Sequence, residues 1–183
     1  MTDNHRNILD LIGKTPVVEI RRLNPNQKVK ILAKLESFNP GGSIKDRAAR
    51  YMIEKAEERG ELTGNKTILE ATSGNTGIGL ALVAAAKGYK LLLAMSESAS
   101  DERKKILKAL GARLLLTPAA RGTDGAIETV YEMLRETPNE YYVPDQFNNE
   151  DNWKAHYYGT AEEIWQQTQG TVTMVVATLG TSG

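Results

Sequence analysis

Lys45 stands in the run Asn39-Pro40-Gly41-Gly42-Ser43-Ile44-Lys45-Asp46-Arg47, between a strand-like stretch and a helix-like one. A lysine close to a helix N-terminus feels the positive end of the macrodipole, which disfavours the ammonium form and favours the neutral amine that condenses with an aldehyde. The same run would serve as an ordinary capped helix start, with Ser43 as cap and Asp46 in the first turn. A second group follows the strand-like Thr67–Ala71: Thr72-Ser73-Gly74-Asn75-Thr76-Gly77-Ile78-Gly79 turns it into an apolar helix. Backbone N–H groups and small hydroxyls at such a turn stabilise an anionic ligand. A dinucleotide site is the rival, with Glu97 near the place of a ribose-binding acid, but the glycines fall in the reverse of the G-x-G-x-x-G order. The third group is Gly180-Thr181-Ser182-Gly183, after the β-branched run Thr171–Thr178. It has the outline of a phosphate cradle, and also of a plain flexible tail.

The elements that must hold these groups repeat along the chain. Strand-like Val29–Glu36 precedes a helix over Arg47–Arg59 that ends at Gly60, and Thr67–Ala71 precedes one over Ser73–Lys87, capped by Gly88. Lys90–Met95 with Asp101–Leu110, stopped by Gly111, and Arg113–Leu116 with Thr123–Arg135 complete four strand and helix units. That series predicts an α/β fold in three layers, a parallel sheet flanked by helices. The run at 172–177 predicts a further buried parallel strand. Trp153, Tyr157, Ala161, Ile164 and Trp165 form an apolar stripe that must also find cover.

The lysine run, the Thr72–Gly79 turn and the terminal glycine-hydroxyl loop, in that order, resemble the cysteine synthase and cystathionine β-synthase group, the β-replacing branch of fold type II pyridoxal-phosphate enzymes. Pro144-Asp145-Gln146-Phe147-Asn148-Asn149 through Trp165 resembles the corresponding stretch of the B type of cysteine synthase. The likeness extends from Ile12-Gly13-Lys14-Thr15-Pro16 to Gly183. One departure is Met95-Ser96, where the family generally has proline after the methionine.

The resemblance implies that pyridoxal 5'-phosphate is the cofactor and that Lys45 is the catalytic lysine carrying it. It implies that Asn75 reaches the cofactor ring and that Gly180, Thr181, Ser182 and Gly183 hold its phosphate. Thr72, Ser73, Gly74, Asn75 and Thr76 would grip the substrate carboxylate, with Gln146 bordering the site; His156 is expected to be structural. The implied reaction is β-replacement on O-acetylserine or O-phosphoserine by sulfide, giving L-cysteine. A cystathionine β-synthase-like enzyme and a non-catalytic fragment are the alternatives. By the same resemblance, 36–145 is the smaller domain, while 1–35 and 146–183 are parts of a larger, incomplete cofactor-binding domain of the tryptophan synthase β-like fold. The complete protein would be a homodimer, and 183 residues alone are expected to be inactive.

Composition narrows the classes. The chain has 183 residues, 23 basic and 23 acidic, and 40% apolar content, the proportions of an ordinary globular protein. With no net charge and no basic run, nucleic acid and anionic membrane are not expected partners. The absence of cysteine removes disulfides and thiolate catalysis, and two histidines, His5 and His156, do not suggest a metal site. Neither an apolar leader nor a spanning stretch is visible, so a cytoplasmic protein is expected.

Overall fold

The computed structural model describes residues 7–26, 28–181 and 183. A short antiparallel pair comes first: β1 (Val17–Glu19) and β2 (Leu32–Lys34), in register Val17 to Lys34. After it come α1 (Lys45–Glu58), β3 (Thr67–Ala71), α2 (Asn75–Lys87), β4 (Lys90–Ser96), α3 (Asp101–Ala109), β5 (Arg113–Thr117), α4 (Gly122–Glu136) and β6 (Tyr141–Tyr142). A short α5 (Glu150–Ala155) runs through a π-helical turn at His156–Ala161 into α6 (Glu162–Gln167).

Strands β3 to β6 form one parallel sheet in the order β5-β4-β3-β6. Alternation along β3 and β4 builds a core on each face, because successive side chains of a strand point to opposite sides. Ile68, Leu91, Leu93 and Met95 meet Ala49, Ile53, Leu80, Val83 and Leu107 from α1, α2 and α3. Leu69, Ala71 and Ala94 meet Ala126 and Val130 of α4 on the other face. Three layers result, as the strand and helix series predicts.

Helix α1 buries Ala48, Ala49, Met52, Ile53 and Ala56, the three- and four-residue spacing of one face. Each large apolar side chain buried there contributes about 1.5–3 kcal/mol. Gly79 lets α2 lie close on its first turn: a Cβ at Gly79 would stand 3.0 Å from the Lys45 carbonyl oxygen and 3.0 Å from the Ala49 Cβ. The first turn of α1 is thereby pinned against the glycine-rich start of α2.

Two expected strands differ. Val29–Glu36 keeps only Leu32–Lys34 as strand, paired with β1 outside the parallel sheet, and Glu36–Phe38 turns into a 3-10 helix. The fourth parallel strand is instead Tyr141–Tyr142, which pairs with Thr67 and Ile68 of β3. The run at 172–177 is not a strand and is not buried: Met174, Val175 and Val176 are 79%, 66% and 90% exposed. Among the described residues nothing pairs with its backbone, and apolar alternation cannot make a strand without a ladder. The aromatic stripe is likewise largely open, with Trp153, Tyr157 and Trp165 each more than 40% exposed.

Candidate active site

The strand order reverses between β3 and β6. The chain steps from β3 outward through β4 to β5, then returns over the far face to β6 beside β3. In open α/β sheets, ligand sites form at the carboxyl ends of the strands where such a reversal occurs. Here those ends lead into Thr72–Thr76 and Pro144–Gln146. Thr76 and Gln146 meet there, with Thr76 Oγ1 donating to Gln146 Oε1 at 2.7 Å, both residues buried.

The turn after β3 shows how the sequence makes an anion-ready helix start. Gly74 sits at the N-cap in an extended conformation, and its amide donates to Thr72 Oγ1 at 3.2 Å. Asn75 and Thr76 are the first two residues of α2, so their amides have no acceptor within the helix. The Asn75 side chain is exposed and makes no hydrogen bond among the described residues. Gly77 is needed for packing, since a Cβ there would lie 3.1 Å from Thr72 Cγ2 and 3.2 Å from Leu93 Cδ1.

Lys45 opens α1, with its amide donating to Ser43 Oγ at 3.1 Å. Its ammonium-forming nitrogen, Nζ, donates to Thr181 Oγ1 at 3.0 Å. Burial pushes the Lys45 amine below its ordinary range, and among the described residues no carboxylate forms an ion pair with it. The neighbouring Asp46 points the other way. Its Oδ2 accepts the Gly41 amide at 2.6 Å, and burial raises its carboxyl to about 6. Gly41 must be glycine, because an added Cβ would collide with the Asp46 carboxylate. His156 lies close enough for the charges of Lys45 and Arg47 to add to burial in lowering its pKa, and its Nδ1 is 3.0 Å from Thr160 Oγ1.

Beneath Lys45 lies an ion network that sequence reading missed. Arg47, 6% exposed, donates to Glu36 at 2.7 and 2.9 Å and to Glu163 at 2.7 and 2.8 Å. Glu163 also accepts from Lys34 Nζ at 2.6 Å and from the Lys14 amide at 2.8 Å. Burial pushes the Glu163 carboxyl up, but the bonds from Arg47, Lys34 and Lys14 outweigh it and hold it at about 2. Three segments far apart in sequence, at Lys14, at Lys34 to Glu36 and at Glu163, are fastened to the lysine turn.

The sequence-derived residues therefore fall into two contacting pairs and a rim. Lys45 and Thr181 meet, as do Thr76 and Gln146, while Thr72, Ser73, Gly74 and Asn75 form the turn beside the second pair. Gly180 is exposed, Gly183 lies against Asn152, and Ser182 lies outside the described residues. Asn152 joins the pairs: its Nδ2 donates to the Gln146 carbonyl at 2.7 Å and to Thr181 Oγ1 at 2.9 Å. A half-buried amine, in no carboxylate ion pair among the described residues and beside a glycine and hydroxyl loop, fits the aldehyde and phosphate ends of pyridoxal phosphate.

Comparison with known proteins decides the family. Residues 8–183 match the family model described as "Pyridoxal-phosphate dependent enzyme". The chain belongs to that family. It is 52% identical over 179 residues to a cysteine synthase of Aquifex aeolicus (strain VF5), covering 96% of this chain and 55% of that protein. It is 46% identical over 183 residues to cysteine synthase B of Pseudomonas aeruginosa, covering 100% of this chain and 60% of that one. The crystal structure of a cysteine synthase (OASS) from Entamoeba histolytica superimposes with a TM-score of 0.95 at 45% identity, over 99% of this chain and 54% of that chain. The chain thus spans little more than half the length of these relatives, and its fold is that of this pyridoxal-phosphate family.

Proposed function

We propose that this chain carries the lysine and substrate-carboxylate parts of a pyridoxal-phosphate-dependent cysteine synthase, which replaces the β-substituent of O-acetylserine with sulfide to form L-cysteine. The observation that carries the reading is Lys45: its amine is partly withdrawn from water, in no ion pair with a carboxylate among the described residues, and 3.0 Å from the Thr181 hydroxyl. The names of the relatives supply the reaction class.

Each part of the chain has a task in this reading. Lys45 would hold the cofactor through its aldehyde, and as a free amine beside the substrate it would accept the proton from the substrate Cα. Its depressed pKa leaves a larger neutral fraction for that step. The amides of Asn75 and Thr76 and the hydroxyls of Thr72 and Ser73 bind the substrate carboxylate, and Thr76 holds Gln146 beside it. Gly180, Thr181, Ser182 and Gly183 hold the cofactor phosphate. Bound pyridoxal phosphate supplies the electron sink for the broken Cα–H bond. The reading includes the division of the protein into a smaller domain at 36–145 and a larger one containing 1–35 and 146–183. It extends to a cytoplasmic homodimer for the complete protein, tested by fractionation and by sedimentation; among the described residues no helix is long and apolar enough to cross a membrane.

Borohydride reduction of the cofactor-loaded full-length protein tests the assignment. Peptide mapping is expected to find pyridoxyl on Lys45, and Lys45→Ala is expected to leave nothing to reduce. A label on Lys34 or Lys55 would overturn it.

A further inference from the structure

The Thr181 hydroxyl is where two donors converge. Lys45 Nζ lies 3.0 Å from Thr181 Oγ1 and Asn152 Nδ2 lies 2.9 Å from it. Protonated lysine and a side-chain amide nitrogen can only donate, and a hydroxyl oxygen has two acceptor sites and one proton. With both acceptor sites used, that proton can serve only an acceptor elsewhere. Among the described residues Thr181 Oγ1 donates to nothing.

The orientation of Asn152 is fixed by its other contact. The residue is 2% exposed, and Nδ2 is 2.7 Å from the Gln146 carbonyl oxygen, which can only accept. Turning the amide over would set two acceptors against each other. As placed, Oδ1 is buried without a hydrogen-bond partner and stands against Gly183, where a Cβ would collide with it. A buried, unpaired amide oxygen is costly, so its position beside the backbone of the glycine-hydroxyl loop is informative.

We propose that Asn152 is a positioning residue for the cofactor phosphate: it turns the Thr181 hydroxyl into a directed donor and fastens Thr181 to the Gln146 backbone. The inference rests on the cofactor-binding reading given above. When Lys45 engages the cofactor and ceases to donate, Asn152 remains the group that fixes the direction of the Thr181 O–H. Donation by Asn152 also polarises that hydroxyl, strengthening its bond to an anionic oxygen. Through the Gln146 backbone the same amide is linked to Thr76, so one side chain connects the carboxylate loop with the phosphate loop.

The test compares pyridoxal 5'-phosphate with pyridoxal, which lacks the phosphate, in spectroscopic titrations of the full-length protein. Asn152→Asp keeps the shape but replaces the donor by an acceptor, and is expected to weaken the phosphate ester at least about tenfold while changing pyridoxal less than about twofold. The phosphorus resonance of the bound ester should move toward that of the free compound. Asn152→Ala should act in the same direction, and in a Thr181→Val background its additional effect should vanish. Equal weakening of both ligands would assign Asn152 a merely structural role and overturn the proposal, as would an unchanged preference. Should the Asn152 variants not fold, Thr181→Val and Thr181→Ser decide. Valine must abolish the preference and serine retain it, and a valine variant with the wild-type preference overturns the inference. If the wild type itself binds the ester no better than pyridoxal, the cofactor-cradle reading fails; if the wild type shows the preference and the Asn152 variants keep it undiminished, the role of Asn152 fails alone.

Discussion

Arg47 donates two hydrogen bonds to Glu163, at 2.7 and 2.8 Å, across 116 positions of sequence. Arg47 is two residues past Lys45 in the first turn of α1, and Glu163 lies near the start of α6. A second carboxylate, Glu36, holds the guanidinium from the other side. Arg47 therefore fixes the lysine turn against the segments that carry Glu36 and Glu163. Lys45 can be placed to within a fraction of an ångström only if that turn is fixed.

Removing the partners should differ in cost. Glu163→Gln leaves Arg47 its Glu36 contacts, and is expected to lower stability by about 2 kcal/mol, the worth of charge-assisted hydrogen bonds. Arg47→Met takes the guanidinium from both Glu36 and Glu163, leaving Glu163 with Lys34 and the Lys14 amide, and should cost about 3–5 kcal/mol. Urea denaturation checks both values. A loss for Arg47→Met below about 1 kcal/mol would show that the network does not hold the lysine turn.

Asn75 offers a cleaner functional test, because its side chain is exposed and makes no hydrogen bond among the described residues. Its removal costs the fold little, so an effect on catalysis reports on ligand contact. Asn75→Ala is expected to lower kcat/KM for O-acetylserine at least about tenfold, equivalent to ~1.4 kcal/mol. Wild-type kinetics with an unchanged melting temperature would reduce the turn at 72–76 to a structural feature.

The elements legible in the sequence were those with strong local punctuation. Thr67–Ala71 has the bounds its β-branched start and following glycine turn imply, and α2 ends at Lys87 with Gly88 in the left-handed conformation at φ 80°. Elements defined by distant partners were not legible. Tyr141–Tyr142 is a strand only because β3 lies beside it, and two residues carry no period. Thr171–Thr178 has the composition of a buried strand but lacks a neighbouring ladder. At the site, Lys45 and the 72–76 turn announce themselves through glycine and hydroxyl spacing. Arg47 with Glu36 and Glu163, and Asn152 with Thr181, do not, since each depends on contacts between segments that no local pattern joins.

The exposed segment at 171–179 leads to a prediction about residues 1–183 alone. Val176 and Leu179 are 90% and 85% exposed immediately before the cradle, and Thr181 is tied back to the fold through Lys45 and Asn152. The apolar run leading into the cradle has no cover among the described residues, and an open apolar run favours association. Purified 1–183 is expected to show no sustained cysteine production from O-acetylserine and sulfide at saturating cofactor, and concentration-dependent self-association in sedimentation. Turnover equal to that of a chain with the length of its relatives would show that these residues contain the whole active site.

Glu70 supplies a pH test of the region that joins β3 to Gln146. It is 5% exposed, its Oε2 has no hydrogen-bond partner, and burial, with Asp145 adding its charge, pushes its carboxyl up to about 7. The facing amides of Ala71, Asp145 and Gln146 offset this only in part. A carboxyl raised in the folded state binds its proton more tightly there. It favours folding below the unfolded value of 4.5, and that advantage is lost as pH rises through about 7. Asp46, raised to about 6, acts in the same direction, whereas Glu163, held at about 2, favours folding above 4.5 and loses its contribution as pH falls. Glu70→Gln stays neutral throughout and removes only the Glu70 part. Relative to wild type, the variant should therefore gain stability between about pH 5 and about pH 8, by up to about 3 kcal/mol, on top of a constant offset from the altered acceptors. Urea denaturation at several pH values across that window measures the difference. A gap that does not change with pH would show that Glu70 binds no more protons in the folded state than in the unfolded one across that window.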